Sequence, residues 1–205
     1  MKTVCEDWSK AFSPDKIGLA WFDEFAIRAK NVAAEIHRVK NPRDANPIIA
    51  EIAVSCGAKK VVGIEGPLQI AAGIFAHLSS QGIEVYTEKF AIRHEAETAD
   101  IGISHVEFGV AETGSVLEDG YAVEKRLVST LTPVHIVFLR SAYIVPNMEE
   151  ALNIISKVHS QGYISFITGP SRTADIERVL TIGVHGPSRL IIIAVDEVPE
   201  ESGKS

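Results

Sequence analysis

The sequence is poor in cysteine, with only Cys5 and Cys56 among 205 residues. Cysteine-ligated iron–sulfur clusters usually take four thiolates, and structural zinc sites use closely spaced cysteine pairs. Two distant cysteines supply neither set, so we expect no iron–sulfur cluster and no cysteine-bound zinc. Since other metal-ligand spacings and cofactor motifs are not recognisable either, no bound metal ion or cofactor is expected on this chain. A disulfide between them is not expected in a reducing compartment.

The sequence also lacks clusters of basic residues, long apolar runs and a glycine-rich dinucleotide motif. The net charge is −7 and the pI is about 5.5, which argues against a nucleic-acid partner. No apolar run is long enough to span a bilayer, and the charged first ten residues do not resemble a secretory signal. No G-x-G-x-x-G follows a predicted strand, so a bound nicotinamide or flavin is not indicated. We therefore expect a cytoplasmic protein.

Predicted strands alternate with predicted helices along the chain, which is typical of an α/β fold with a mainly parallel sheet covered on both faces. The composition, 46% hydrophobic and 23% charged, suits one domain over residues 1–205. Apolar spacing predicts helices over 19–39 and 44–56, which would form an N-terminal helical cap over 1–57. The α/β core is expected over 58–197, and an acidic, frayed tail over 198–205. Strands are predicted at 60–64, 83–86, 101–104, 134–139, 163–167 and 190–195.

The stretch 163–195 predicts a βαβ unit with a turn that suits an anion. A helix is expected from Thr173, with Asp175 in its first turn, to Gly183. The preceding turn contains Gly169, Ser171 and Arg172, so backbone N–H groups, a hydroxyl and a guanidinium would converge at a helix N-terminus. Alternatively, this is only a well-capped turn with its arginine in solvent.

The tetrapeptide Gly-Pro-Ser-Arg of this turn occurs a second time at residues 186–189. The second copy precedes a strand rather than a helix, so we expect an ordinary turn on the opposite edge of the sheet, away from the first. His185, just before it, could point into a site or away from one.

A second polar turn lies between apolar segments in the stretch 106–117. Glu112 is a candidate base, nucleophile or ligand anchor, with Thr113 and Gly114 beside it; alternatively, its carboxylate accepts local N–H bonds. His135, inside a predicted strand, is either a site histidine or a core histidine. We expect the turns of Glu112 and Arg172 to lie close together, with His135 nearby.

Three further residues are possible site residues. Gly66, after the first core strand, could line a pocket, although a turn that requires glycine is the preferred explanation. His105 and Glu107 share one face of a strand and could be two metal ligands. Without a third ligand at recognisable spacing, they do not predict a metal site.

Two motifs carry a resemblance to a known family. The first is Ala111-Glu112-Thr113-Gly114-Ser115 with the following 126–129 and 133–136, and the second is 168–177 with 183–187. Both resemble the lactate utilisation protein C family, the LUD-domain proteins. The resemblance implies a Rossmann-like three-layer α/β/α sandwich similar to the NagB/RpiA/CoA-transferase fold. It also implies a role in oxidising L-lactate to pyruvate beside iron–sulfur partner proteins, which would hold the clusters.

Two functions follow from these observations, and the sequence leaves open whether the chain is itself an enzyme. In the first, the chain is a component of an L-lactate oxidation system without a cluster of its own. In the second, it is a stand-alone enzyme or binder of a small phosphate, carboxylate or coenzyme A-type anion. There, Ser171 and Arg172 would hold the anion and Glu112 would act as base or nucleophile.

Overall fold

The computed structural model describes residues 8–158, 163–176, 179–182 and 186–197. In chain order the elements are α1 (Phe22–Asn31), β1 (Glu35–Val39), α2 (Ala45–Ser55), β2 (Lys60–Gly63), α3 (Pro67–Ala72), α4 (Ile74–Ser80), β3 (Glu84–Tyr86), α5 (Lys89–Glu95), β4 (Ile101–His105), β5 (Phe108–Val110), β6 (Ser115–Asp119), α6 (Val123–Leu131), β7 (Val134–Arg140), β8 (Ile144–Val145), α7 (Met148–Val158), β9 (Ile164–Ile167), β10 (Arg172–Ile176), β11 (Val179–Ile182) and β12 (Arg189–Val195). Short 3₁₀ helices lie at Trp8–Ala11, Leu19–Trp21, Pro42–Asp44 and Ala96–Thr98.

Six strands form a central parallel sheet in the order β1-β12-β7-β4-β2-β3. The middle strands β7 and β12 are almost continuously apolar and buried, as expected for parallel strands covered on both faces. Helices α2, α3 and α4 pack on one face, and α1, α5 and α6 pack on the other. The predicted three-layer α/β/α sandwich is therefore confirmed.

A second, smaller sheet has the order β8-β5-β6-β9. One side of it shares the apolar cluster of α1, and the other side packs against α7 and the 3₁₀ helix at Trp8–Ala11. No helix in the described part of the chain is long and apolar enough to cross a bilayer.

The helix predicted over 19–39 is wrong in its second half. Helix α1 ends at Asn31, the backbone turns at Ala33 with φ of 66°, and residues 35–39 form β1. Parallel pairing of β1 with Ile191–Val195 at the sheet edge stabilises the extended backbone. The apolar spacing of a half-buried segment does not reveal such a distant partner. The expected helical cap thus includes an edge strand of the sheet, and its boundary at residue 57 stays a prediction.

The predicted βαβ unit at 163–195 is also wrong. Strand β9 lies in the small sheet, antiparallel to β6, and the expected helix from Thr173 is replaced by the antiparallel hairpin β10–β11. This segment is rich in β-branched residues, which favour strands, and its capping signals are weak by comparison. The final strand is confirmed as β12.

Candidate functional site

The two motif turns contact each other, as predicted, but through residues that the sequence analysis did not select. Ser115 Oγ and Thr168 Oγ1 are 2.6 Å apart. Gly114 and Gly169 both have positive φ, 68° and 71°. An added Cβ would lie 2.2 Å from the Ala29 nitrogen at Gly114 and 2.0 Å from the Val32 oxygen at Gly169. Both glycines therefore allow their turns to pack closely on the C-terminal end of α1.

Glu112 is exposed, and its carboxylate accepts the backbone N–H of Met148, with Oε2 3.0 Å from the nitrogen, at the start of α7. A negative side chain at this position also complements the helix dipole. Beside it, Thr113 Oγ1 accepts the N–H of Ser115 at 3.4 Å. The structure thus shows the alternative reading, a carboxylate that accepts a local N–H bond, and a role as base or nucleophile stays a prediction.

Arg172 is exposed and begins β10, so the expected helix N-terminus behind it does not exist. Its neighbours Thr173 and Asp175 lie on the same strand, and His185 lies outside the described residues. The prediction that helical N–H groups hold an anion at this turn is therefore wrong. A role of the Arg172 guanidinium itself in binding an anion stays a prediction.

The two Gly-Pro-Ser-Arg copies are adjacent rather than on opposite edges. The backbone N–H of Ser171 donates to the carbonyl oxygen of Pro187 at 2.7 Å, and Gly186 faces the Ser171 side chain. The prediction that they are separated is wrong because the β10–β11 hairpin returns the chain to its starting point, whereas a helix would have carried it across the sheet.

His135 is fully buried near the amino end of β7, and its Nε2 lies 2.9 Å from Ser104 Oγ. Burial, and secondarily the charge of Lys125, lowers the pKa of His135 to about 3. Within the described part of the chain, no hydrogen bond joins this histidine to Glu112 or Arg172. The side chain of His135 lies in the layer beneath α6, and its grouping with Glu112 and Arg172 stays a prediction.

His135 belongs to a buried polar cluster between the sheet and α6. The Ser104 hydroxyl also donates to Glu118 Oε1 at 3.4 Å, and Glu118 Oε2 is buried without a partner. Burial raises the pKa of the Glu118 carboxyl to about 7, although the nearby Lys125 charge opposes the rise. The sequence analysis missed this acid because Glu118 follows the apolar Val116 and Leu117 and precedes Asp119-Gly120, a pair typical of turns.

The neighbouring pair of Glu107 and Lys125 connects this cluster to the sheet edge. Lys125 Nζ donates to Glu107 Oε1 at 2.8 Å, and both side chains are at least nine-tenths buried. Glu107 Oε2 also accepts the N–H of Asp119 at 2.8 Å. Burial raises the pKa of Glu107, and Lys125 opposes that rise. Glu107 is thus already engaged by a cation.

A cavity of about 370 Å³ opens at the carboxyl edge of the central sheet. After β2 the chain continues on the sheet face that α3 covers, whereas after β4 it continues on the opposite face, which α1 covers. A crevice therefore forms between the carboxyl ends of these two neighbouring strands. Ligands bind in such crevices in open α/β sheets. Residues that line the cavity include Trp8, Gln69, His105, Glu107, Arg140 and Tyr143.

Arg140 supplies a positive charge to this cavity from the last position of β7. Its Nη1 donates to the Tyr143 hydroxyl at 3.0 Å, and its guanidinium carbon lies 5.0 Å from the centroid of that ring. Among the described residues, no carboxylate lies within ion-pair distance of Arg140. A guanidinium with free donors in a partly enclosed cavity is suited to a carboxylate or phosphate.

Sequence reasoning missed Arg140, Gln69 and Tyr143 as cavity residues. Arg140 directly follows a predicted strand of a parallel sheet, which was a usable signal that it lies at the ligand-binding edge. Gly66 was considered as a pocket residue, and the structure places it against His105 and Gln69. Within the described ranges, no group of three or more histidine, cysteine, aspartate or glutamate side chains is arranged to hold a metal ion.

The fold and cavity define an α/β protein with an open crevice at the carboxyl edge of a parallel sheet. The family model of the LUD domain matches residues 22–195, so this chain belongs to the LUD-domain family. The family resemblance found in the two motifs is therefore confirmed.

Curated relatives carry the name lactate utilization protein C. The protein from Halalkalibacterium halodurans is 33% identical over 147 residues, which cover 68% of this chain and 64% of the relative. The protein from Shouchella clausii is 31% identical, with coverages of 69% and 64%. That from Anoxybacillus flavithermus is 37% identical over 102 residues, which cover 50% and 46%. This chain thus spans about half to two thirds of the length of these relatives.

A solved structure shares the fold. The crystal structure of a DUF162 family protein from Deinococcus radiodurans superposes with a TM-score of 0.56 and 19% sequence identity, covering 90% of this chain and 99% of the other. At this level of identity the similarity supports the architecture alone.

Proposed function

We propose that this chain takes part in lactate utilisation and that it binds a small organic acid in the cavity at the carboxyl edge of the sheet. Membership of the LUD-domain family and the names of the curated relatives support the process. The observation that carries the binding role is Arg140, a cation that lines the cavity and has no carboxylate partner among the described residues.

In the finer form of this proposal, the chain is a component of a system that oxidises L-lactate to pyruvate. Iron–sulfur partner proteins would carry the electrons, because two cysteines cannot ligate a cluster of their own. The chain would contribute the acid-binding cavity and no cofactor. The alternative is a stand-alone small-anion enzyme, which Arg140 also favours because a guanidinium suits a phosphate as well as a carboxylate.

The binding role is tested by calorimetric titration of L-lactate and pyruvate into the wild type and Arg140→Gln. Charge-assisted hydrogen bonds contribute about 1.5–3 kcal/mol, so the variant should bind roughly 10- to 100-fold more weakly. Arg172→Gln is the matched control, since that arginine is exposed and lies in the motif turn. Weaker binding in Arg172→Gln with unchanged binding in Arg140→Gln would move the anion site to the turn.

The partner role is tested by assaying lactate oxidation with an artificial electron acceptor. We expect no turnover by this chain alone and turnover when it is combined with cysteine-rich iron–sulfur proteins encoded beside it. Turnover by the purified chain alone would support the stand-alone enzyme instead.

A further inference from the structure

One wall of the cavity concentrates buried polar atoms that have no hydrogen-bond partner. The Gln69 side chain is fully buried, and neither its Oε1 nor its Nε2 has a partner in the structure. The Nδ1 of His105 is also buried without one. Both residues line the cavity. A buried polar atom left unpaired destabilises the fold, so three in one wall require an explanation.

Two of these three atoms, His105 Nδ1 and Gln69 Oε1, lie close to Gly66. A Cβ added to this glycine would lie 2.6 Å from His105 Nδ1 and 2.8 Å from Gln69 Oε1. The two side chains come from different elements, the first turn of α3 and the end of β4. The absence of a side chain at residue 66 therefore allows both polar side chains to pack against the same backbone position.

The charge state of this wall favours an un-ionised ligand group. Burial, with a smaller contribution from Lys125, lowers the pKa of His105 to about 3, so its ring is neutral at physiological pH. Glu107 is already paired with Lys125. A glutamine amide both donates and accepts, and a neutral imidazole does the same through its two nitrogens. A hydroxyl group, which also donates and accepts, satisfies such a set.

We propose that Gln69 and His105 form a subsite for the hydroxyl group of a 2-hydroxy acid whose carboxylate is bound by Arg140. This inference rests on the proposed function, because Arg140 must hold the acid in the same cavity. The cavity of about 370 Å³ falls within the range of roughly 300–1,000 Å³ typical of small-molecule pockets, so it has room for a three-carbon acid. Longer 2-hydroxy acids such as 2-hydroxybutyrate belong to the same ligand class.

The test compares L-lactate with propionate, which has the same carbon chain and carboxylate but no hydroxyl. Both acids are titrated calorimetrically into the wild type, Gln69→Leu and His105→Phe at pH 7.5. We expect the wild type to bind lactate roughly 10- to 100-fold more tightly than propionate, the gain from one or two hydrogen bonds. Each variant should bind propionate as the wild type does but lose most of this preference.

The control is Gln81→Leu, because Gln81 is exposed beyond α4 and its Nε2 lies 3.2 Å from His77 Nε2 on the same helix surface, away from the cavity lining. This variant should keep the wild-type preference for lactate. Urea unfolding checks that each variant is folded. Gln69→Leu should be at least as stable as the wild type, since it removes two unpaired buried atoms.

The outcomes separate this inference from the proposed function. Equal affinity of the wild type for lactate and propionate would overturn the hydroxyl subsite and leave acid binding intact. The subsite is likewise overturned if both folded variants retain the full preference for lactate. Failure of the wild type to bind either acid would overturn the acid-binding function and the subsite with it.

Discussion

Glu118 gives the buried polar cluster a titration that can be measured through protein stability. Its carboxyl is fully buried and has a pKa of about 7 in the folded chain, against 4.5 for an unperturbed glutamate. Between these two values the folded state holds the proton more tightly than the unfolded state. The contribution of Glu118 to stability is therefore largest below pH 4.5 and is lost as the pH rises through 7.

The size of this loss follows from the pKa difference. Each pKa unit corresponds to about 1.4 kcal/mol, so ionisation of Glu118 should destabilise the fold by about 3 kcal/mol between pH 4.5 and pH 8. Glu118→Gln replaces the carboxyl by an amide that does not titrate. The variant should consequently gain about 3 kcal/mol of stability relative to the wild type over this pH range.

The assay is urea unfolding of both proteins at several pH values from 4.5 to 8. A difference of 3 kcal/mol corresponds to a shift in midpoint of roughly 1–3 M urea. The buried histidines His105 and His135 also change stability with pH, because their lowered pKa values destabilise the fold as the pH falls below 6.5. This effect is common to both proteins and cancels in their difference.

Glu149→Gln is the control, since Glu149 is exposed on α7. Its stability relative to the wild type should change by less than about 0.5 kcal/mol over the same range. If the stability difference between Glu118→Gln and the wild type also did not change with pH, Glu118 would be ionised throughout the range, with Lys125 compensating its burial. That result would refute the reasoning.

Two further predictions concern the packing of the motif turn and the buried ion pair. Gly114→Ala should destabilise the fold by more than about 2 kcal/mol, because the added Cβ would overlap with the backbone of Ala29. The control Gly57→Ala has a similar φ of 63° but open space around the added Cβ, so it should cost only about 1 kcal/mol. Equal losses of stability in urea unfolding would contradict this prediction. Lys125→Met should cost about 3–5 kcal/mol by leaving the Glu107 carboxylate buried without its cation. Adding Glu107→Gln should restore most of that stability, and a double-mutant cycle that shows no coupling would contradict the prediction.

The strands that were predicted well are those whose environment is uniform. Residues of β7 and β12 are buried on both faces, so a continuous apolar run identifies them without knowledge of their neighbours. The edge strand β1 contains Glu35, His37 and Arg38, and its apolar positions also match helical spacing. Only its pairing with β12 determines that it is extended, and this partner lies more than 150 residues away in the sequence.

The candidate site was harder to predict because its residues are separated in the chain. Gln69, His105 and Arg140 come from three elements and meet only where the carboxyl ends of β2, β4 and β7 lie side by side. The motif residues that the sequence analysis selected, Glu112 and Arg172, are instead exposed. Short motifs show that certain residue types are required, but they do not show whether packing or ligand binding requires them.

The sequence by itself determined the α/β class, the family, and the absence of enough cysteine for a cluster, because these depend on composition, local periodicity and motif content. Tertiary structure decided that β1 is a strand and that β10 and β11 form a hairpin. It also decided where the cavity lies. These features depend on which segments pair across the fold, since pairing and burial between distant residues outweigh the small local preferences of the backbone.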